Sequence, residues 1–582
     1  MLSGEEFFDR YGKELDLKQR EAVLRTDGPC LVQAVPGSGK TTVLVSRLGY
    51  MGCCLGEDLN RVLVVTFSRE AAGDMERRFC ERFSNAEMKG RPVFCTIHSL
   101  ALEIIRSYCR IYDRDPFGIL TNGEAVIRGI VQKDCERLAA AAAAEEAAAQ
   151  ISLCKNAMKS REEADAIAIT GIDFPAVRRA YEDYKMQRRE MDFDDLLLYA
   201  YRIIKRYPKI RAVFQEKYIH FCVDEAQDNS KIQNELLMLL AEKGRSLFLV
   251  GDEDQSIYGF RGADPAYLRR LARDFGEDRV IKLENNYRSC GEVLRLAGLV
   301  IGQIRGRTPK RLIGVKAGEG RTALLQFGTM SDRDDYIAGD HRDCGTAAVL
   351  ARNRESVLSI TWRLFRDGIS FICIPGLSEA FDTEPLASII RLLEAIWKEE
   401  PAEKVPARLR KYLMDRNCAA FLKRVGPQEA IRFLLDRMGF GNYIRNRWSE
   451  RNLTRIYMKL SILEEIASGC TDLDGFLEML EQFRAFVKKG GGERGIFLSS
   501  IHGAKGMEFD KVYLVDLVDK IFPSCYYITN GSTGAYEEEV RLLYVALTRA
   551  RHSVEVLQVQ QYRWGRPAPS TFEKEIEAHC NE

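Results

Sequence analysis

Cys30-Leu31-Val32-Gln33-Ala34-Val35-Pro36-Gly37-Ser38-Gly39-Lys40-Thr41-Thr42 is the stretch on which the reading of this chain turns. Cys30-Leu31-Val32 is a short apolar run that predicts a strand, and Thr42 to Leu48 predicts a helix. A strand, a glycine-rich turn and a helix N-terminus in succession form a cradle for a triphosphate. Glycines let backbone N–H groups converge on the β-phosphate, Lys40 reaches the β- and γ-phosphates, and Thr41 offers a hydroxyl to Mg²⁺. The pattern G-x-x-x-x-G-K-[ST] begins here with Ala34 in place of its first glycine, while Gly37 to Thr42 keep the part that meets phosphate. The expected nucleotide contacts run over Ala34, Val35, Pro36, Gly37, Ser38, Gly39, Lys40, Thr41 and Thr42. The plainer alternative is a glycine-rich surface turn that happens to precede a lysine.

The 582 residues exceed what one core can serve and predict roughly three or four domains. Hydrophobic residues at 46% and charged residues at 29% describe a soluble globular chain. The 86 Lys and Arg nearly cancel the 85 Asp and Glu, so a nucleic-acid partner would have to use a local basic channel. The sequence has no run of about 18 apolar residues, so no membrane span is expected. Met1 to Arg10 is acidic and lacks the apolar core of a secretory leader. The expected location is the cytoplasm, of bacterial cytosol or nucleoid type. Sixteen cysteines without a Cys-x-x-Cys pair, beside six histidines, argue against a zinc site, an iron–sulfur cluster or a disulfide framework.

Upstream of the phosphate loop, Gln19 can give the adenine edge one donor and one acceptor, although a surface Gln on a helix is commoner. Arg61 to Val65 reads as a buried strand ending in Thr66-Phe67-Ser68, and Val93-Phe94-Cys95 ends in Thr96-Ile97-His98-Ser99. Both strand ends would flank a ligand crevice at the carboxyl edge of a parallel sheet. From about Ile104 to Arg189 the pattern is helical and charged, including an alanine run from Leu138 to Ala149 with few large apolar anchors. That run reads as part of an inserted helical subdomain, or as a solvent-facing or mobile segment. Tyr218 to Val223 is a strand ending in Asp224-Glu225, where Asp224 would hold the metal and Glu225 would accept the proton of the attacking water. A simple helix cap is the alternative for such an acidic pair. Ser246 to Asp252 is a further strand, and Gln255 beyond it would orient water or sense the γ-phosphate. Tyr258, Phe260 and Arg261 form an aromatic–cationic cluster on which bases could stack, or else ordinary core beneath a turn.

Together these stretches resemble the successive motifs of UvrD/Rep-type superfamily 1 DNA helicases. The resemblance continues through Leu283 to Ser289, Ser499 to Phe509 and Glu538 to Ala550, in family order and across nearly the whole chain. It implies an α/β fold with two RecA-like parallel-sheet P-loop NTPase cores, each carrying an inserted helical subdomain. The expected boundaries are 1–105, 190–282 for the first core with 106–189 inserted, and 283–384, 493–582 for the second with a short insertion at 385–492. Ala347 to Leu350, Ile496 to Leu498 and Val512 to Val515 are the strand-like runs of the second core, which has no phosphate loop. Lys488-Lys489-Gly490-Gly491-Gly492 reads as a flexible hinge closing the insertion.

The resemblance further implies that both cores meet across one ATP, with Arg288 and Arg549 reaching the γ-phosphate from the second core. Tyr287 would stack on adenine and Glu508 would approach the ribose. With Lys40, Glu225 and Gln255 these arginines make the expected catalytic set, and Thr41 and Asp224 the Mg²⁺ set. Thr66, Phe67, Thr96, His98, Tyr258, Phe260, Arg261 and His502 are the expected DNA contacts. The implied activity is ATP-dependent 3′→5′ movement on single-stranded DNA with strand separation, in repair, replication or recombination. A translocase that strips proteins, or a motor subunit of a nuclease complex that does not unwind alone, fits the same motifs. Single-stranded and tailed duplex DNA are the expected ligands, with repair or nuclease proteins as possible partners and a monomer or weak dimer as the expected state.

Overall fold

The apolar runs of the first half pair side by side in one parallel sheet. The computed structural model describes residues 1–132, 137–242, 246–316, 318, 320–340, 345–374, 376–400, 409–448, 450–524, 533–562 and 565–580. These fall into two compact units, Met1–Arg288 with Gly306–Val315, and Ser289–Arg305 with Lys316–Glu582.

In the first unit the strands are β1 (Cys30–Ala34), β2 (Val62–Thr66), β3 (Val93–Thr96), β4 (His220–Val223), β5 (Ser246–Gly251) and β6 (Val280–Leu283). Their order is β3-β2-β4-β5-β1-β6, with every pairing parallel. Side chains alternate between faces along a strand, and two separate apolar cores follow from that alternation. Leu31, Leu63, Val65, Phe221 and Leu249 fill one face, while Val32, Val64, Cys222, Phe248 and Val250 fill the other. Burial on both faces is why these strands read as continuous apolar runs.

The helical insertion comprises Gly123–Val131, Arg137–Asn156, Arg161–Asp165 and Phe174–Arg188. The alanine run is helical, with one face packed and Glu145, Glu146 and Ala149 exposed on the other. Ala144 and Ala147 are buried against Ile127, Val131, Phe174 and Tyr181, so the neighbouring helices supply the bulk that the run lacks. Residues 137–142 of the run lie outside the described side chains. Lys155 and Lys185 clamp the insertion to the helix Phe193–Arg206: Lys155 reaches Asp195 at 2.7 Å and Lys185 reaches Asp192 at 2.8 Å. All four groups are largely buried, so removing one would leave an uncompensated charge.

In the second unit β7 (Arg321–Phe327), β8 (Ala347–Ala351), β9 (Phe371–Cys373), β10 (Ile496–Ser500), β11 (Phe509–Val515) and β12 (Ala550–Val559) form another parallel sheet. The order is β7-β12-β11-β8-β10-β9. The helices from Leu386 to Lys488 share one apolar core with it, joining Leu386, Ile431 and Phe476 to Val349 and Leu498.

Two expectations are corrected here. The glycine run is no free hinge: Gly490 accepts from Cys373 N at 2.9 Å and Gly492 N donates to Phe371 O at 2.7 Å. Gly490 and Gly491 have φ of 87° and 79°, and a Cβ on Gly491 would lie 2.5 Å from Phe371 O. Glycine serves left-handed backbone and close approach there, a need that composition alone cannot separate from flexibility. The units also do not part at 283. Leu283 to Arg288 stay with the first unit, and the chain returns to it at Gly306–Val315, where Ile313–Gly314 pairs with Asn285–Asn286.

Candidate nucleotide and strand site

The phosphate loop is held from outside through its carbonyls. Pro36 O accepts from Asn286 Nδ2 at 2.6 Å, Gly37 O from Tyr287 N at 3.0 Å and Ser38 O from Gln19 Nε2 at 2.9 Å. These peptides are trans, and across a trans peptide the N–H points opposite to the C=O. The N–H groups of Gly37 and Gly39 are therefore turned away from the outer donors, while Ser38 N–H donates to Val35 O at 3.3 Å and closes the turn. Gly37 and Gly39 take φ of 64° and 80°, and a Cβ on Gly37 would come within 2.6 Å of Arg288 Cβ. Gly39 caps the helix Lys40–Cys53 without a side chain, leaving the first N–H groups of that helix to an external acceptor. Ser38 Oγ is buried with no hydrogen-bond partner, as a hydroxyl awaiting a phosphate oxygen would be.

Opposite the loop stands the acidic end of β4. Lys40 Nζ lies 3.0 Å from Glu225 Oε2. Burial pulls the Lys40 ammonium down, but Glu225, Asp252 and Asp224 outweigh it and hold the group above its usual value. Burial pushes the Asp224 carboxyl up to about 7, with the Glu225 charge adding and Lys40 opposing. Two carboxylates facing a buried lysine and the Thr41 hydroxyl are a hard oxygen set suited to Mg²⁺, whose charge would offset the burial of Asp224. Glu225 has φ 49° and ψ 44°, left-handed backbone in a residue with a side chain. Such strain collects at functional sites.

Gln227 and Asp252, which the sequence reading passed over, join this corner together. Gln227 Nε2 donates to Glu225 Oε2 at 2.6 Å, and Gln227 Oε1 accepts from Asp252 N at 2.9 Å. Asp252 Oδ2 in turn accepts from Gln255 Nε2 at 2.6 Å. Gln255 is thus brought to the same corner as Lys40 and Glu225.

Two nucleotide residues, Gln19 and Arg288, stand differently from expectation. The Gln19 carboxamide is buried and already engaged, accepting from Asp16 N at 2.9 Å and donating to Ser38 O, so it supports the loop rather than facing an open base site. Tyr287 is exposed, with its hydroxyl donating to Asp16 at 2.6 Å. Arg288 was expected from the second core and belongs to the first unit, packed beside Gly37. The chain crosses to the second unit only after it.

The carboxyl ends of β2 and β3 carry an aromatic face. Thr66 pairs in register with Thr96, which sets Phe67 and His98 at adjacent strand ends. Phe67 stacks on Tyr258 with centroids 4.8 Å apart and planes 17° apart, and Tyr258 lies 6.0 Å from Phe260. Arg261 sits over both Tyr258 and Phe260, at 5.8 and 5.6 Å. Phe67 and Phe260 are exposed. Burial lowers the His98 pKa, with Asp194 opposing and Arg261 adding to the fall. His98 meets Phe193 edge-on at 6.3 Å, adding an exposed ring that sequence reading missed. Phe193 follows an Asp that caps a helix, and in sequence it is indistinguishable from a core position. The hydroxyls of Thr66 and Thr96 are committed to their own turns, bonding Ser68 O at 2.9 Å and Ser99 N at 3.2 Å. They shape the strand ends.

In the second unit Arg549 is buried, with its guanidinium donating to Val545 O at 3.0 Å, Met507 O at 3.2 Å and Thr548 Oγ1 at 3.3 Å. Glu508 is exposed and ion-paired with Arg551. His502 is half-buried just past β10.

The UvrD/REP helicase N-terminal domain matches residues 15–276, and the UvrD-like helicase C-terminal domain matches residues 445–560. The YjcD protein of Bacillus subtilis is 28% identical over 607 residues, spanning 92% of this chain and 78% of its own length. ATP-dependent DNA helicase PcrA of Staphylococcus epidermidis is 27% identical over 641 residues, spanning 97% of this chain and 86% of its own. PcrA of Staphylococcus aureus is 27% identical with the same coverage. With residues 15–276 and 445–560 matched in order and relatives aligned along most of its length, the chain carries the N-terminal and C-terminal domains of the UvrD/REP helicase family.

Proposed function

We propose that this protein is an ATP-dependent DNA helicase that moves 3′→5′ along single-stranded DNA and couples ATP hydrolysis to strand separation. The observation that carries the reading is the closure of Lys40 on Glu225, with the exposed Phe67 stacked on a half-buried Tyr258 in the same unit. ATP would lie with its phosphates against the N–H groups of the loop and its adenine on Tyr287. Lys40 would release Glu225 and turn to the phosphates, freeing that carboxylate to take the proton of the attacking water. Water oxygen then bonds to the γ-phosphorus, the bond to the ADP oxygen breaks, and Gln255 orients the water. Mg²⁺, held by Thr41 and Asp224, would supply charge to the phosphate oxygens. Arg288 and Arg549 would balance the charge that spreads over the γ-phosphate, and Arg549 must exchange its carbonyl partners to do so. Bases stacking on the Phe67, Tyr258 and Phe260 surface give a grip that tolerates any sequence.

The test is ATP turnover with and without oligo(dT). Strong stimulation by the strand supports the reading, and turnover indifferent to DNA removes the aromatic face from the site.

A further inference from the structure

The crossover segment Gly306–Val315 carries a buried lysine that the nucleotide site does not account for. The chain enters the second unit at Ser289, comes back as this segment, and leaves again at Lys316. On its way it bonds each member of the acidic turn after β5. Arg307 grips Asp254 through two nitrogens at 3.1 and 2.9 Å, and Thr308 N donates to Glu253. The Lys310 ammonium is buried between Asp252, to which it donates, and Asp254 at 3.1 Å. A lysine and a carboxylate shut off from water stay together only as a pair, because either alone would carry the full cost of burial.

Asp252 divides its two carboxylate oxygens. Oδ1 takes Lys310, and Oδ2 takes the Gln255 carboxamide at 2.6 Å. Its backbone N–H donates to Gln227, which bonds Glu225. A continuous line of hydrogen bonds therefore runs from Lys310 to both residues that face the attacking water. With Oδ1 fixed by an ammonium, the carboxylate cannot rotate, and Oδ2 holds the Gln255 amide nitrogen in one place. The direction of the Gln255 carboxamide is thereby set by Asp252.

We propose that Lys310 is a positioning residue for ATP turnover: by pinning Asp252 it sets the orientation of the Gln255 carboxamide, so that movement of the crossover segment changes the rate of hydrolysis. The proposal rests on the reading of Gln255 as a water-orienting group. The segment is covalently joined to the second unit at both ends, so displacement of that unit pulls directly on Lys310.

A double-mutant cycle on the full chain tests this, with ATP turnover measured at saturating oligo(dT) across an ATP titration. K310M should lower kcat about tenfold to a hundredfold, the range a misplaced group costs, and change the KM for ATP less than about twofold. K310R, which restores a cation to Asp252, should recover part of the loss. In a Q255A background K310M should cost nothing further, because the amide it positions is gone. An equal loss on both backgrounds, or wild-type kcat in K310M, overturns the proposal while leaving the Gln255 reading intact. Wild-type turnover in Q255A overturns that reading and the proposal with it. If K310M does not fold, D252N enters the same cycle. It keeps the side-chain shape without the charge that Lys310 meets, and it must likewise lose its effect in Q255A.

Discussion

Lys40 and Glu225, which lie 185 residues apart in the chain, meet at 3.0 Å. In the proposed mechanism Lys40 thus occupies the oxygen that would take the proton from water. Glu225 can act as a base only when Lys40 is drawn away, which ties the activation of water to the arrival of phosphate. Replacing Lys40 with Met should lower kcat by about 10²–10³-fold while the affinity for single-stranded DNA, read by fluorescence anisotropy, stays within about twofold. Full turnover in the variant would remove Lys40 from the site.

Phe260 and Phe67 should carry strand affinity. Phe260→Ala should weaken binding of a short oligonucleotide by about 1–3 kcal/mol, equally for dT and mixed-sequence strands, with ATP turnover in the absence of DNA unchanged. A loss confined to one base would point to hydrogen-bonded readout instead of stacking.

Gly491 should not tolerate a side chain. With φ at 79° and the Phe371 carbonyl 2.5 Å from where a Cβ would stand, Gly491→Val should destabilise the second unit by about 1–3 kcal/mol in a denaturant titration. Unaltered stability would restore the view of this run as a loose hinge.

Glu465 makes the second unit sensitive to pH. Burial pushes its carboxyl up to about 7, with Asp334 adding to the rise and Arg366 and Arg363 opposing it. A folded-state pKa above the unfolded one gives a contribution intact below the usual carboxylate range and lost as pH rises through about 7. Glu465→Gln should therefore raise the melting temperature at about pH 8 and leave it unchanged near pH 4. An equal shift at both values would show that the effect is packing and not titration.

The parts of the fold that sequence disclosed are those fixed by local pattern. Each parallel strand is buried on both faces, so Val62 to Thr66 or Ala347 to Ala351 appears as an apolar run whatever its partners are. The phosphate loop is legible because its chemistry is local in sequence. What depends on distant partners is not. Lys310 lies in a Pro- and Arg-containing loop with no periodicity, and only folding brings it to Asp252, 58 residues earlier. Gln19 shows a side chain able to meet adenine, yet the structure spends both its polar atoms on Asp16 and Ser38. Arg288 looks like part of the second core because its motif opens that half, but the chain has not yet left the first unit. The alanine run lacks bulk of its own, and the large side chains that bury it come from Ile127, Phe174 and Tyr181.

The most direct measurement of the central claim is unwinding of duplexes that carry a single-stranded tail on either the 3′ or the 5′ end, in the presence of ATP and Mg²⁺. A helicase gripping its strand as proposed should separate the 3′-tailed duplex and leave the 5′-tailed one paired. DNA-stimulated ATP turnover with neither duplex opened would contradict strand separation by this chain alone and identify it as a translocase.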